Sequence, residues 1–160
     1  MDPAEPRDPE SGDLLKLCRA LNEQGAKYIV IGGMAIVYHG FLRGTEDIDL
    51  LVERTAENIA KLKQSLSILP DNAVAEMRDS DLETYGTVRI ADEVVVDLMS
   101  SACDIDFEEA LSMVEEAEVE GVLIPFATPE LLLKTKQTVR EKDKIDGLFL
   151  KRLIKERSKE

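Results

Sequence analysis

The sequence predicts one α+β or α/β domain with a mixed β-sheet of about four or five strands flanked by helices. Short apolar runs alternate with segments whose apolar residues recur at helical spacing. The length of 160 residues suits one compact domain, and neither a repeat nor a linker divides the chain. We therefore expect a single folded domain over residues 11–160, after a disordered tail formed by the proline-rich residues 1–10.

The first part of the chain predicts helices and strands in alternation. Caps, glycines and apolar periodicity set the expected bounds. In order, these elements are a helix that Ser11 caps and Gly25 ends, a strand over 27–31, a short helix over 34–39 stopped by Gly40, a strand over 46–53, and a helix that Thr55 caps and Pro70 ends.

The second part predicts a hairpin and further helices. Two runs rich in β-branched residues predict the hairpin, and an Asp-x-x-Glu capping box predicts a helix start. In order, the elements are a loop over 71–82, strands over 84–90 and 93–99, a helix over 106–116, a last strand over 119–124 stopped by Pro125, a helix from Thr128-Pro129 through Val139, and an amphipathic helix over 145–154.

The charge and cysteine content exclude several classes of protein. With 33 acidic and 20 basic residues the net charge is −13, which disfavours tight nonspecific binding to nucleic acid, although a local basic groove remains open. Cys18 and Cys103 form no CxxC pair, and with the lone His39 they do not make up a zinc site. The acidic start and the absence of a long apolar run predict a cytoplasmic protein without a signal peptide or membrane segment.

Gly32-Gly33 follows the first predicted strand and opens a helix. Adjacent glycines let backbone N–H groups approach an anion closely, and a helix N-terminus carries partial positive charge. The pair is therefore a candidate cradle for a triphosphate, although such a pair is often only a turn.

Asp47-Ile48-Asp49 lies on the second strand. Residues two apart on a strand point to the same face, so the two carboxylates can converge on a hard cation such as Mg²⁺. Two neighbouring acids without a cation partner are costly unless a metal or a proton neutralises them. The alternative is a pair of solvated acids at a strand end.

Asp97 interrupts the apolar run of residues 94–99. If its strand lies beside the strand of Asp47 and Asp49, Asp97 completes a cluster of three carboxylates. Otherwise it caps a strand end or pairs with a surface lysine. The second Asp-x-Asp sequence, Asp104-Ile105-Asp106, precedes a helix, and Asp106 is better explained as an N-cap.

The strand, the glycine pair and the Asp-x-Asp sequence, in this order, resemble the DNA polymerase beta-like nucleotidyltransferase superfamily. Thirteen residues separate Gly33 from Asp47, at the long edge of the spacing in that superfamily. The string GGMAIVYHGFLRGTEDIDLLV is similar to the bacterial minimal branch, which includes abortive-infection and toxin–antitoxin nucleotidyltransferases. A looser match follows at Ile124-Pro125, Leu132, Lys136, Arg140, Lys142-Asp143 and Asp146, so the resemblance covers residues 27–150.

The resemblance implies roles for individual residues. Asp47, Asp49 and Asp97 would be catalytic metal ligands, with Asp97 also activating the acceptor hydroxyl. The implied nucleotide-binding residues are Gly32, Gly33, Arg43, Thr45, Lys136 and Arg140, together with Lys142 as a further helix cation. Arg43 could instead pair with Glu46, the helix cations could form a solvated face, and His39 is better explained as a packed residue.

The activity that the resemblance implies is transfer of a nucleoside monophosphate from an NTP, such as ATP, to an acceptor hydroxyl with release of pyrophosphate. Two Mg²⁺ ions, with Mn²⁺ as a substitute, would be the cofactors. The acceptor could be a tRNA end, a protein hydroxyl or a small molecule, and a second copy or a cognate partner protein could complete the cleft. The alternatives are a non-catalytic regulatory module that binds a nucleotide or partner, and a toxin–antitoxin component.

Overall fold

A six-stranded mixed β-sheet forms the centre of the molecule, whose computed structural model describes residues 5–136 and 140–159. Its strands are β1 (Tyr28–Ile31), β2 (Asp47–Val52), β3 (Thr87–Ala91), β4 (Val95–Met99), β7 (Val114–Val119) and β8 (Val122–Ala127), while β5 (Ser101–Ala102) and β6 (Ile105–Asp106) form a separate two-stranded ribbon. The strand order in the sheet is β3-β4-β2-β1-β8-β7. β2 pairs with β4 and β1 with β8 in parallel, and the other neighbours are antiparallel.

Helices cover this sheet and enclose an apolar core. The helices are α1 (Ser11–Gln24), α2 (Gly32–Tyr38), α3 (Ala56–Leu66), α4 (Asp81–Tyr85), α5 (Phe107–Ala110), α6 (Pro129–Lys134) and α7 (Glu141–Arg157). α1 packs against α3, while α6 packs against both α2 and α7. The fold is thus the predicted mixed α/β arrangement, with a larger sheet than expected.

Several predicted helix ends are confirmed by their local geometry. Gly25 follows α1 with φ 68°, a conformation that glycine adopts without strain. The side chains of Thr55 and Thr128 accept hydrogen bonds from the backbone of Asn58 and Leu131, as N-caps do. The prediction for Ser11 was one residue late, because the N-cap is Glu10, in a capping box with Asp13.

The prediction for residues 106–124 was wrong in part. Asp106 caps a helix as predicted, but the helix ends at Ala110, and residues 114–119 form an antiparallel hairpin with β8 instead of the end of a helix. The turn consists of Glu120 and Gly121, both with positive φ (48° and 81°), which is the geometry of a tight two-residue hairpin. Pro125 does not stop the strand but lies within β8, opposite Glu116.

Smaller corrections concern loops and helix ends. The predicted loop over 71–82 contains a 3-10 helix, Ala73–Glu76, and the start of α4. α3 ends at Leu66, ahead of Pro70. α6 ends at Lys134, and Val139, predicted to continue it, lies outside the described residues.

The segment before α1 has defined contacts from Arg7 onward. The Arg7 N–H donates to the Glu93 carbonyl (3.0 Å), and its guanidinium donates to both oxygens of Asp13 at 2.7 Å. Residues 1–4 of the predicted disordered tail lie outside the described part of the chain. Among the described helices, none combines the length and the apolar character that crossing a bilayer requires.

Candidate active site

Three aspartates meet where β2 and β4 run side by side. The parallel register places Asp49 directly opposite Asp97, with Asp47 two residues earlier on β2. Each of the three side chains offers a carboxylate oxygen, and these oxygens lie within 4.8 Å of one another. The predicted cluster of three acids therefore forms, and we call it the carboxylate triad.

Arg89 is a member of this site that the sequence did not reveal. It lies on the edge strand β3, directly opposite Asp97. Its Nε and Nη2 donate to Asp97 Oδ1 and Oδ2, both at 2.9 Å, and Nη2 also lies 3.3 Å from Asp47 Oδ2. The row Asp49, Asp97 and Arg89 thus crosses three strands, with the cation on the solvent side.

The triad carries more negative charge than its surroundings offset. Burial raises the pKa of Asp49 to about 7, with further contributions from the charges of Asp47 and Asp97, while Lys136 acts in the opposite direction. Burial and the charge of Asp97 also raise the pKa of Asp47. Asp49 Oδ1 is buried and has no hydrogen-bond partner among the described residues. An oxygen of this kind is suited to a ligand that the protein itself does not supply.

The glycine turn lies directly beneath the triad. Gly32 has φ +66°, and a Cβ built there would overlap the carboxylate of Asp49. A Cβ on Gly33 would lie 2.8 Å from Thr45 Cβ and 3.2 Å from Arg43 Nη2. Glycine is therefore required at both positions for the backbone to approach the site this closely. Both glycines are buried, under Asp49, Thr45 and Arg43.

A second charged cluster joins the loop before β2 to the turn after α6 and to α7. Asp143 and Asp146, on α7, are 1% and 0% exposed. Arg43 Nη2 donates to Asp146 Oδ2 at 2.9 Å, and Lys136 Nζ lies 3.1 Å from Asp143 Oδ1 and 3.2 Å from Asp146 Oδ2. Arg140 also pairs with Asp143, at 3.0 Å. We call these five residues the α7 ion-pair cluster.

This cluster explains where the predicted nucleotide-binding cations lie. Arg43 pairs with Asp146 rather than with Glu46, and Lys136 is held between two buried carboxylates. Arg140 is 69% exposed, and its pKa is raised mainly by its hydrogen bond to Asp143 and the charge of Asp143, with smaller contributions from the charges of Asp49 and Asp47. The hydroxyl of Thr45 donates to the Asp47 carbonyl at 3.0 Å, which fixes the start of β2. Their binding of nucleotide stays a prediction.

Three other sequence interpretations also have structural outcomes. His39 has a fully buried side chain whose Nε2 lies 2.8 Å from the Ala127 carbonyl, so it is the packed residue that was expected. Cys18 is buried in the core, also as expected. Asp106 is an N-cap that accepts from the Glu109 N–H, which leaves Asp104-Ile105-Asp106 outside the site.

The chain belongs to a family of nucleotidyltransferases. The family model described as "Nucleotidyl transferase of unknown function (DUF2204)" matches residues 10–160. The resemblance to the nucleotidyltransferase superfamily is thereby confirmed. No curated protein sequence matches the chain.

Two of the solved structures that match this chain illustrate the shared fold. A protein from Thermotoga maritima, described provisionally as a nucleotidyltransferase, has a TM-score of 0.55 and 13% identity, with 88% of this chain and 93% of that chain covered. An antigenic nucleotidyltransferase-like protein from Paracoccidioides brasiliensis has a TM-score of 0.53 and 18% identity, with 92% and 78% covered. At these identities the likeness shows the nucleotidyltransferase fold.

The triad fits a divalent metal ion by its chemistry. Carboxylate oxygens are the ligands that Mg²⁺ and Mn²⁺ prefer. The orphaned Asp49 Oδ1 and the raised pKa values of Asp47 and Asp49 both indicate uncompensated negative charge. A divalent cation would remove both penalties.

Proposed function

We propose that this chain is a Mg²⁺-dependent nucleotidyltransferase that transfers a nucleoside monophosphate from an NTP to an acceptor hydroxyl and releases pyrophosphate. The observation that carries the proposal is the meeting of three carboxylates from β2 and β4 within 4.8 Å, above a turn that only glycine fits. Membership in the nucleotidyltransferase family supports the reaction class.

Asp47, Asp49 and Asp97 are the proposed metal ligands. When bound there, two Mg²⁺ ions would lower the pKa of the acceptor hydroxyl and stabilise the negative charge of the leaving pyrophosphate. The orphaned Asp49 Oδ1 would obtain a partner. Mn²⁺ is expected to substitute, because it accepts the same oxygen ligands.

Asp97 is the proposed group that activates the acceptor. Its side chain is 6% exposed and lies between Asp49 and Arg89. In the proposed step the acceptor oxygen forms a bond to the α-phosphorus, its proton passes to a carboxylate oxygen of Asp97, and the bond from the α-phosphorus to the bridging oxygen breaks. Pyrophosphate leaves with that electron pair. The chain supplies position and electrostatics rather than a covalent intermediate.

The cations beside the triad are the proposed triphosphate-binding groups. Arg43 lies over the Gly33 turn and could offer N–H groups of its guanidinium to phosphate oxygens. Arg140 is exposed on the same side, and Lys136 lies near enough to Asp49 to lower its pKa. Because the glycine turn is buried under Arg43, we expect nucleotide binding to rearrange this side chain.

The transfer reaction can be tested without knowing the acceptor. The full chain is incubated with Mg²⁺ and an NTP carrying a radioactive label in either the α- or the γ-phosphate, and with RNA, protein and small-molecule hydroxyl compounds in turn. Nucleotidyl transfer predicts that the α-label becomes attached to an acceptor while the γ-label appears in pyrophosphate. A γ-label on the acceptor would contradict the proposal, because it indicates phosphoryl transfer.

Matched substitutions identify the groups responsible. Asp49→Asn should abolish Mg²⁺-dependent NTP binding and transfer, whereas Asp104→Asn, in the Asp-x-Asp sequence outside the site, should change neither. Asp97→Asn should retain NTP binding and lose turnover. Equal activity of Asp49→Asn and the wild-type protein would contradict the proposed site.

The same measurements address the alternatives. A chain that binds NTP with Mg²⁺ but transfers no label to any acceptor class would be a regulatory module on this fold. Toxicity on expression that Asp47→Ala removes would favour the toxin–antitoxin alternative.

A further inference from the structure

Arg89 occupies the positions on Asp97 that a metal ion would need. Both oxygens of Asp97 accept hydrogen bonds from the guanidinium at 2.9 Å, and the same group lies 3.3 Å from Asp47 Oδ2. A bidentate arginine of this kind engages both carboxylate oxygens at once. Two of the three proposed metal ligands are therefore already paired with a cation of the chain itself.

The placement of Arg89 allows a metal ion to replace it on Asp97. β3 is an edge strand, and the Arg89 side chain is 62% exposed, so the guanidinium can rotate into solvent without displacing core residues. The guanidinium is hydrated again when it is released, whereas Asp97, whose side chain is 6% exposed, then needs another cation to compensate its charge. A divalent ion that contacts three carboxylates offers Asp97 more compensation than one exposed arginine does.

We propose that Arg89 is the resident counter-ion of the metal site, an inference that rests on the proposed function. In the metal-free chain it holds Asp97 and Asp47 together against their mutual repulsion. When a divalent ion binds the triad, Arg89 releases both carboxylates. Arg89 is thus a positioning residue for the metal ligands, and its departure uncovers the carboxylate that accepts the proton.

A cavity beside the triad provides room for the released side chain. It has a volume of about 430 Å³ and lies between the segment before α1 and the edge of β3 and β4. Arg89 and Asp47 line it together with Glu5, Asp8 and Glu46.

The release can be observed directly with the metal alone. In the ¹⁵N-labelled full chain each of the nine arginines contributes an Nε–Hε signal, and Arg89→Lys identifies the signal of Arg89. Addition of Mg²⁺ without nucleotide should move the Arg89 signal to the position of a solvated arginine. The signal of Arg43, which pairs with the buried Asp146, should stay in place and serves as the internal control.

Mn²⁺ affinity can be measured from the electron paramagnetic resonance of the free ion. It distinguishes direct competition between Arg89 and the metal for Asp97 from a purely electrostatic effect of the Arg89 charge. If Arg89 competes with the metal for Asp97, both Arg89→Gln and Arg89→Lys should bind Mn²⁺ about tenfold more tightly than the wild type, because lysine cannot form the paired bonds to Asp97. If only charge matters, Arg89→Lys should match the wild type. Lys142→Gln, which removes a nearby charge that favours ionised Asp47, should change affinity less than Arg89→Gln does.

The outcomes distinguish this inference from the proposed function. Mn²⁺ binding with an unmoved Arg89 signal, or an Arg89→Lys protein with wild-type affinity, would overturn the role of Arg89 and leave the metal site intact. If neither the wild type nor Arg89→Gln binds Mn²⁺, the proposed function and this inference both fail. Thermal unfolding of each variant confirms that it is folded.

Discussion

The carboxylate triad and the α7 ion-pair cluster lie on adjoining sides of the glycine turn and differ in how completely their carboxylates are paired with cations. In the α7 ion-pair cluster, two carboxylates at most 1% exposed are matched by three cations, two of which are largely buried. In the triad, Arg89, which is 62% exposed, pairs with Asp97 and Asp47, and the buried Asp49 Oδ1 has no hydrogen-bond partner among the described residues.

The difference indicates which of the two clusters is suited to bind a ligand. Buried carboxylates that each contact opposite charges stabilise an arrangement of elements, and here they join the loop before β2 to the turn after α6 and to α7. Arg43 Nε and Asp146 Oδ1 form no well-aligned hydrogen bond, but they lie 2.9 Å apart and so compensate each other's charge. Buried charges that are left incompletely paired cost free energy in the absence of a partner, and such costs accumulate at functional sites. We therefore assign structure to the α7 ion-pair cluster and chemistry to the triad.

The largest expected effect comes from breaking the α7 ion-pair cluster. Asp146→Ala removes the carboxylate that Arg43 and Lys136 share and leaves buried positive charge behind. We expect a loss of about 3–5 kcal/mol in the free energy of unfolding, measured with urea. Asp79→Ala, which removes an exposed carboxylate paired with Lys63, is the control and should cost less than about 0.5 kcal/mol. Equal losses would contradict the structural assignment.

Removing charge from the triad should have the opposite sign. The pKa of Asp49 is raised from 3.8 to about 7, so the folded chain binds this proton more tightly than the unfolded chain does, and stability falls as the pH rises between these values. Asp49→Asn replaces the carboxylate with an amide that is uncharged at every pH. Without metal at pH 8 it should be more stable than the wild type by roughly 2–4 kcal/mol, with no gain at pH 3. A destabilised variant at pH 8 would contradict the account.

A steric change tests the glycine turn between the two clusters. Gly33→Ala places a methyl group against Thr45, and we expect a loss of about 1–3 kcal/mol in the free energy of unfolding together with weaker NTP binding. Gly44→Ala is the matched control, since a Cβ there meets no atom within 4 Å. If both variants behave like the wild type in urea and in nucleotide titrations, the turn does not form the floor of the site.

The smallest effect should follow from the exposed member of the α7 ion-pair cluster. Arg140 is 69% exposed, and Asp143 keeps Lys136 as a partner when Arg140 is replaced. Arg140→Gln should therefore cost less than about 1 kcal/mol of stability in urea, while weakening NTP binding if it contacts phosphate. A large loss of stability with unchanged NTP binding would place Arg140 among the structural residues.

Local signals predicted much of the fold and missed the β7–β8 hairpin and the short β5–β6 ribbon. Gly25, Thr55 and Thr128 act through their own backbone or side chain, so their roles were readable from the sequence. The strand at residues 114–119 follows a capping box and carries three glutamates, and its pairing with β8 depends on a turn at Glu120-Gly121. Tertiary pairing therefore decided a segment whose local pattern favoured a helix.

The triad was predictable and Arg89 was not, because the role of Arg89 depends on the register in which β3 pairs with β4. Two acids two residues apart on an apolar strand, and one acid inside another apolar strand, are visible without knowing how strands pair. Arg89 reaches Asp97 only because Asp92, Glu93 and Val94 lie between β3 and β4. The hairpin predicted with a turn at Ala91-Asp92 has a different register, which pairs Asp97 with another residue. A turn of known length would have identified Arg89.

The most direct test of the central claim is the location of metal in a crystal. The full chain would be crystallised with Mn²⁺ and an NTP analogue whose bridge between the α- and β-phosphates cannot be cleaved, and the anomalous signal of manganese would be mapped. The account predicts manganese bound to Asp47, Asp49 and Asp97, with Arg89 released from Asp97. Manganese bound elsewhere, with the pair of Arg89 and Asp97 intact beside a bound nucleotide, would contradict it.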